Sequence, residues 1–144
     1  MSGEGGCLCG RVRYLIDKQI FTAICHCKDC VKQSGSAYAV IIAVHPDKIK
    51  ITRGEEELKT FVTIGSSGGK VNRQFCQNCG SPIRIILETN PNIIMINEGS
   101  LDDKSNVKPS FHIFVKDKQP WVKLIDNIPA YQILPTDRKS TRLN

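Results

Sequence analysis

The residues with the clearest chemistry are seven cysteines, which fall into three tight clusters. The clusters are Cys7-Leu8-Cys9, Cys25-His26-Cys27-Lys28-Asp29-Cys30 and Cys76-Gln77-Asn78-Cys79. Short cysteine pairs on separate loops can present four sulfurs to one tetrahedral zinc ion without straining either loop. The odd number of cysteines also disfavours a framework of disulfides. The clustering therefore predicts metal binding.

Seven ligands divide naturally into a set of four and a set of three. The four-cysteine set consists of Cys7, Cys9, Cys76 and Cys79. The three-cysteine set consists of Cys25, Cys27 and Cys30. A zinc ion with four cysteine ligands is structural, whereas three protein ligands leave a fourth position for an exogenous ligand, as in catalytic sites. We expect two zinc ions per chain, one of each kind.

Other uses of these residues remain open. Disulfides are disfavoured because neighbouring cysteines are too close for easy bridging and because we expect a reducing compartment. A single structural zinc could leave the other cysteines as buried thiols, or His26 could complete a second structural site. His26 lies between two cysteines, so we expect its side chain to point away from the ion. His45 and His112 are expected to have packing or surface roles.

An open three-cysteine zinc favours the chemistry of thiols. Three thiolates and Zn²⁺ have a net negative charge, which weakens the ion as a Lewis acid for water. A thiol that binds such an ion is deprotonated and stays nucleophilic, so the site suits attack on an electrophilic carbon. Four cations, Lys28, Lys32, Arg73 and Arg84, could offset the charge and receive a substrate carboxylate. Solvated surface charge is the simpler role for each of them.

The elements that must position these residues are mainly strands. Segments rich in β-branched and aromatic residues lie at 11–16, 37–44, 48–52, 58–64, 71–75, 83–87, 93–97 and 112–115. Turn residues close each segment, which is typical of an antiparallel β protein. One short helix is predicted over Lys28 to Ser34, ended by Gly35. The loop from Gly65 to Gly69 is predicted to be a hairpin turn, although it could cradle a peptide-like ligand.

Length and composition favour one globular domain. Of the 144 residues, 40% are hydrophobic and 24% charged, and we assign residues 1–136 to a single zinc domain. Residues 137–144 are polar and unpatterned, and we expect an unstructured tail that is typical of a sequencing artefact. With a net charge of +6 and no basic run, nucleic acid is not an expected partner. No apolar stretch predicts a membrane span or a signal peptide, so we expect a cytoplasmic protein.

The ordered motifs resemble one known family. They are Gly5-Gly6-Cys7-Leu8-Cys9-Gly10-Arg11-Val12-Arg13-Tyr14, Cys25-His26-Cys27-Lys28-Asp29-Cys30, Phe75-Cys76-Gln77-Asn78-Cys79-Gly80-Ser81-Pro82, Gly99-Ser100-Leu101-Asp102-Asp103 and His112-Ile113-Phe114-Val115. Together they are similar to the glutathione-dependent formaldehyde-activating enzymes, the GFA family, whose domain also occurs in centromere protein V. The resemblance extends from Gly5 to about Leu134.

The resemblance implies a fold, two metal sites and an activity. The fold is a β-tent of small antiparallel sheets, with structural zinc on the four-cysteine set and catalytic zinc on the three-cysteine set. The activity is that of a carbon-sulfur lyase, which joins glutathione and formaldehyde as S-(hydroxymethyl)glutathione. Glu98, Asp102 and Asp103 are candidate proton donors, although turn roles are simpler for all three. The rival hypothesis is a non-catalytic zinc module that carries thiols or binds a protein or nucleic-acid partner.

Overall fold

The chain folds mainly into β-structure, as the sequence predicts. A computed structural model describes residues 2–124 and 127–135. Its strands are β1 (Gly3–Gly6), β2 (Arg13–Ile16), β3 (Gln19–Cys25), β4 (Ala39–Val44), β5 (Ile49–Arg53), β6 (Leu58–Ile64), β7 (Lys70–Cys76), β8 (Pro82–Leu87), β9 (Ile94–Asn97) and β10 (Phe111–Ile113). The tail at 137–144 lies outside the described residues, and the boundaries of the single domain stay a prediction.

One α-helix, α1, spans Lys28–Ser34 and confirms the predicted helix. Its N-cap is Cys27, whose Sγ accepts a hydrogen bond from the backbone N–H of Cys30. Gly35 ends the helix in the left-handed region at φ 70°, a conformation that glycine adopts without steric cost. The helix is short because a capping residue and a glycine lie only eight positions apart.

The described chain forms two compact units, of which the first contains residues up to Ile20 and Ile42–Asn106. In it, β1, β2 and β5 form an antiparallel sheet in the order β1-β2-β5. Strands β9, β8, β7 and β6 follow one another in an antiparallel arrangement. Its core includes Val12, Tyr14, Ile83 and Ile96, all at most 1% exposed.

The second unit contains Phe21–Ile41 and the described chain from Val107 onward. Its strands have the order β10-β3-β4, and β4 begins in this unit. Strand β10 pairs with β3 in parallel, with Ile113 opposite Cys25. This pairing departs from the expected antiparallel arrangement, because a long connection between two strands permits a parallel alignment. The sheets are therefore antiparallel and mixed.

Two strands, β1 and β3, were not expected from the sequence pattern. Strand β1 is rich in glycine, which has a low strand propensity. It nevertheless forms because it pairs with β2. A Cβ on Gly5 would lie 2.5 Å from the Oη of Tyr14, so only glycine fits beneath that ring. Strand β3 does not alternate, because Thr22, Ala23, Ile24 and Cys25 are all buried. No helix in the described residues is long and apolar enough to cross a membrane.

Candidate metal centres

The four-cysteine set comes together in the first unit. The Sγ atoms of Cys7, Cys9, Cys76 and Cys79 all lie within 4.8 Å of one another. The Cys7–Cys9 sulfur distance is 3.5 Å and the Cys9–Cys76 distance is 3.8 Å. A tetrahedral zinc with Zn–S bonds near 2.3 Å places its sulfurs about 3.8 Å apart, whereas a disulfide needs about 2.05 Å. All seven cysteines are described, and none forms a disulfide.

Two similar knuckles present these sulfurs. In the first, the backbone N–H of Gly10 donates to the carbonyl of Cys7 at 3.1 Å, and in the second Gly80 donates to Cys76 at 2.8 Å. Both glycines have a positive φ, 82° and 80° respectively, which allows the tight turn. The backbone N–H of Val12 donates to the Sγ of Cys7 at 3.2 Å. This bond holds the Cys7 sulfur in place within the set.

Hydrogen bonds also prepare two further sulfurs for metal binding. The side chain of Asn78 and the backbone of Arg11 lower the pKa of the Cys9 thiol. Burial raises the pKa of Cys79, but hydrogen bonds from Ser81 outweigh it and lower that pKa to about 5. The two thiols are therefore held in surroundings that favour the charged form, which is the form that binds metal.

The three-cysteine set lies in the second unit, where β3 ends and α1 begins. The Sγ atoms of Cys25, Cys27 and Cys30 all lie within 4.8 Å of one another. Cys25 and Cys30 are buried, while Cys27 is partly exposed. No fourth cysteine, histidine or carboxylate from the described ranges joins this group. The set can therefore hold a metal ion through three protein ligands.

The proximity of the three thiols favours either retained protons or a bound cation. Hydrogen bonding with Cys27 and Cys30, together with burial, raises the pKa of Cys25 far above its ordinary value. Three thiolates at these distances repel one another, so without a positive ion the set retains protons. A divalent ion removes that penalty, and thiolate ligands select zinc, copper(I) or iron-sulfur centres. Both sets thus fit a thiolate-bound metal.

A buried imidazole pair anchors the loop that carries these cysteines. The backbone N–H of His26 donates to the carbonyl of Ile113 at 3.1 Å. Its Nε2 lies 3.0 Å from Nδ1 of His112, and the two side chains are 1% and 2% exposed. His26 also contacts the ring of Tyr38, with centroids 5.4 Å apart. Two bonds from one residue thus tie the cysteine loop to β10.

The imidazole of His26 is neutral at neutral pH. Burial, followed by the charges of His112 and Lys118, lowers the pKa of His26 to about 4. At neutral pH one ring therefore donates its N–H to the lone pair of the other. The sequence analysis missed this pair because the two residues are 86 positions apart, and no local pattern connects them.

The candidate proton donors have structural roles within the first unit. Arg13 forms two hydrogen bonds to the carboxylate of Asp102, the longer of them 3.0 Å. Asp103 accepts hydrogen bonds from the backbone N–H and the hydroxyl of Ser105, at 2.9 and 2.7 Å. Glu98 begins a single 3₁₀ turn.

The remaining singled-out residues are dispersed. Lys28 and Lys32 are exposed on α1. His45 caps a 3₁₀ turn by accepting a hydrogen bond from the backbone N–H of Asp47 at 3.1 Å. The loop from Gly65 to Gly69 closes the β6–β7 hairpin through two backbone hydrogen bonds, so it is a turn of the fold.

Comparison with known proteins places this geometry in context. The chain is similar to a Rhodobacter sphaeroides protein known from a structural genomics crystal structure, with 23% identity and a TM-score of 0.55. The match covers 74% of this chain and 91% of that one, and it concerns the fold. No curated protein matches the chain. Residues 2–117 match the family described as glutathione-dependent formaldehyde-activating enzyme. The chain, with its two clusters of cysteines that could each hold a metal ion, belongs to the GFA family.

Proposed function

We propose that this protein is a cytoplasmic zinc enzyme of the carbon-sulfur lyase type. Its three-cysteine set would bind one zinc ion and leave a coordination position for a small thiol. The observation that carries the proposal is the convergence of Cys25, Cys27 and Cys30 within 4.8 Å, without a fourth ligand from the described residues. Family membership supports the same reaction class.

The proposed reaction joins a thiol to an aldehyde. The thiol loses its proton, its sulfur forms a bond to the carbonyl carbon, and the π electrons of the carbonyl move to oxygen, which takes up a proton. The product is an S-hydroxymethyl thiol, and nothing is oxidised or reduced. Zinc, when bound, supplies the positive charge that keeps the incoming thiol deprotonated at neutral pH.

The protein's own residues would hold the three sulfurs in place for this reaction. The backbone N–H of Cys30 donates to the Sγ of Cys27 at 3.2 Å, which fixes that sulfur at the start of α1. The bonds from His26 to Ile113 and His112 hold the preceding residues against β10. A fixed arrangement of the three sulfurs would present a bound thiol to the aldehyde in one orientation, which lowers the entropic cost of the reaction.

The four-cysteine set would bind a second zinc with a structural role. It joins a knuckle at the N-terminal end of the chain to one that follows β7, and it offers four sulfurs with no remaining position. Closed sites of this type contribute directly to the free energy of folding. We therefore assign two zinc ions to each chain.

Glutathione and formaldehyde are the proposed substrates, because the family is described by that reaction. The test is to measure the rate of adduct formation between glutathione and ¹³C-formaldehyde by exchange NMR. Zinc content per chain would be determined by elemental analysis of the same sample. We expect two zinc ions and an exchange rate well above that of the uncatalysed mixture. Cysteine and 2-mercaptoethanol serve as alternative thiols.

The matched variants are Cys27→Ser and Cys76→Ser. Serine at position 27 can still cap α1, so the fold should persist while one zinc and the activity are lost. Cys76 is fully buried in the four-cysteine set, so its replacement should unfold the protein. Wild-type activity in the folded Cys27→Ser variant would exclude the three-cysteine set as the catalyst. Two bound zinc ions without catalysis for any thiol would favour the non-catalytic zinc module.

A further inference from the structure

An arginine on β8 is held in one orientation by a row of polar side chains. Thr60, Gln74 and Arg84 are cross-strand neighbours on β6, β7 and β8. The Nε of Arg84 donates to the Oε1 of Gln74 at 2.6 Å, and the Nε2 of Gln74 donates to the Oγ1 of Thr60 at 3.2 Å. Because Nε is the bonded atom, the row fixes the plane of the guanidinium and leaves its two terminal nitrogens for another partner.

The surroundings of Arg84 are unusual for a surface arginine. The residue is half-buried, and its neighbour across the β8–β9 pair is Ile96, which is fully buried. Burial lowers the pKa of Arg84 below its ordinary value, and the charge of Glu55 compensates only in part. None of the ion pairs within residues 2–124 and 127–135 includes Arg84. The guanidinium has thus lost part of its hydration without forming an ion pair with a carboxylate.

Other arginines of the first unit are used differently. Arg73 is 6% exposed and donates to the Oγ1 of Thr63, so it is part of the packed interior. Arg11 and Arg13 form ion pairs with Glu57 and Asp102. Arg84 differs from these three because its positive charge is positioned by a neutral amide. A partly desolvated charge that forms no ion pair is costly unless a ligand compensates it.

We propose that Arg84 is the centre of an oxyanion-binding site in the first unit. The ligand would present two oxygens of one carboxylate or phosphate group to the terminal nitrogens of the guanidinium, in the bidentate geometry that suits this fork. Gln74 is the positioning residue, because it holds Nε and leaves the outer edge of the guanidinium to the ligand. The site does not depend on the thiol chemistry proposed for the three-cysteine set.

The experiment follows the arginine Nε–H signals of the ¹⁵N-labelled, zinc-loaded full chain by NMR. Sodium acetate and sodium phosphate are titrated separately, and sodium chloride keeps the ionic strength constant. Arg84→Lys identifies the Arg84 signal by its disappearance. The ion-paired Arg11 and Arg13 are controls within the same spectrum. We expect the Arg84 signal to shift and saturate with one of the two anions. The dissociation constant from that titration should be at least about 10-fold lower than for either control arginine.

Variants distinguish specific binding at Arg84 from attraction of anions by the net charge of the protein. Arg84→Gln and Lys59→Gln each remove one positive charge, and backbone amide shifts of β7 and β8 report binding in both. Arg84→Gln should abolish saturable binding. Lys59→Gln should leave the dissociation constant within about 2-fold of the wild-type value. Gln74→Leu keeps the charge but should weaken binding by several-fold.

The two anions distinguish a carboxylate ligand from a phosphate ligand. Saturation with acetate alone indicates a carboxylate ligand, and saturation with phosphate alone a phosphate ligand; either result supports the proposal. A shift that stays linear with both anions, or that is equal for all three arginines, would overturn it. Equal loss of binding in Arg84→Gln and Lys59→Gln would also overturn it, because attraction by net charge would then be sufficient.

Discussion

At the scale of single residues, the contact between His26 and His112 shows how a buried pair of rings can support a set of candidate metal ligands without belonging to it. Each ring is buried, and each satisfies one nitrogen of the other at 3.0 Å. The pair connects the residue between two cysteines to the middle of β10. Removing one ring would leave the facing nitrogen of the other without this partner. The cost of that unpaired buried nitrogen is larger than the net contribution of the hydrogen bond itself.

We predict that His112→Leu lowers the free energy of unfolding by about 1–3 kcal/mol, measured by urea denaturation of the zinc-loaded protein. The double variant with His26→Leu should lose less than the sum of the two single variants, because no unpaired nitrogen remains. His45→Asn is the control, since an exposed cap is replaced by another capping residue. Additive single and double variants would contradict a coupled pair.

The same pair should influence the metal. In a protein loaded with cobalt(II), the sulfur-to-metal charge-transfer bands of the three-cysteine set should shift in His112→Leu, since the loop then loses an anchor. The bands of the four-cysteine set should stay unchanged in a Cys27→Ser background. Identical spectra for wild type and His112→Leu would show that the pair supports stability alone.

At the scale of elements, α1 is defined by its two ends. Cys27 begins it as both N-cap and member of the three-cysteine set, and Gly35 ends it at φ 70°. No atom of the described residues lies within 4 Å of where a Cβ on Gly35 would be, so among them a side chain there meets only the cost of its backbone conformation. That cost can be measured without interference from packing.

We predict that Gly35→Ala destabilises the protein by about 1 kcal/mol, because alanine disfavours the left-handed region. Gly99→Ala is the matched control. Gly99 also has open space around its Cβ position but no positive φ, and it lies in a 3₁₀ turn. Its replacement should be neutral or stabilise by up to about 1 kcal/mol. Equal effects of the two variants in urea denaturation would show that backbone strain does not govern the end of α1.

The sequence predicted those elements whose signals are local. The helix was predictable because a capping residue and a glycine delimit it, and β6 because a β-branched and aromatic run ends at turn residues. Strand β1 was not predictable, since the approach of Tyr14 that requires glycine at position 5 is a contact between strands. The parallel pairing of β10 with β3 was also beyond a local pattern, because its partners are 88 positions apart, as for Phe111 and Ala23.

The cysteine clusters show the same division between local and distant information. Their spacing indicated which sulfurs could share an ion, because two or three ligands of each set are close in sequence. The imidazole anchor of the three-cysteine set and the row that holds Arg84 depend on pairings between strands. Side-chain hydrogen bonds of that kind follow from the register of a sheet, which composition does not reveal.

At the scale of the whole molecule, folding and metal binding are expected to be one process. The four-cysteine set joins the ends of a loop of roughly seventy residues, so an ion bound there would add its binding free energy to the free energy of folding. In the absence of metal, the cluster of thiols has no cation to hold its negative charge. Stability should therefore depend on the concentration of free zinc.

We predict that each tenfold increase in free zinc above the dissociation constant raises the melting temperature by roughly 5 °C. The measurement is thermal unfolding in zinc buffers, carried out on Cys27→Ser so that the four-cysteine set dominates the response. Wild type should show a steeper dependence if both sets bind zinc in the folded state only. A melting temperature that is constant while zinc is bound would contradict a structural role for the ion.

The parallel pairing of β3 with β10 has a consequence for protein synthesis. A ribosome releases Cys25, Cys27 and Cys30 early, within six residues of one another, so a nascent chain can capture an ion almost at once. His112, the partner of His26, lies 86 positions later in the chain and is translated much later. The three cysteines are thus made before their support, and an ion captured during that interval would be exposed to exchange with competing thiols.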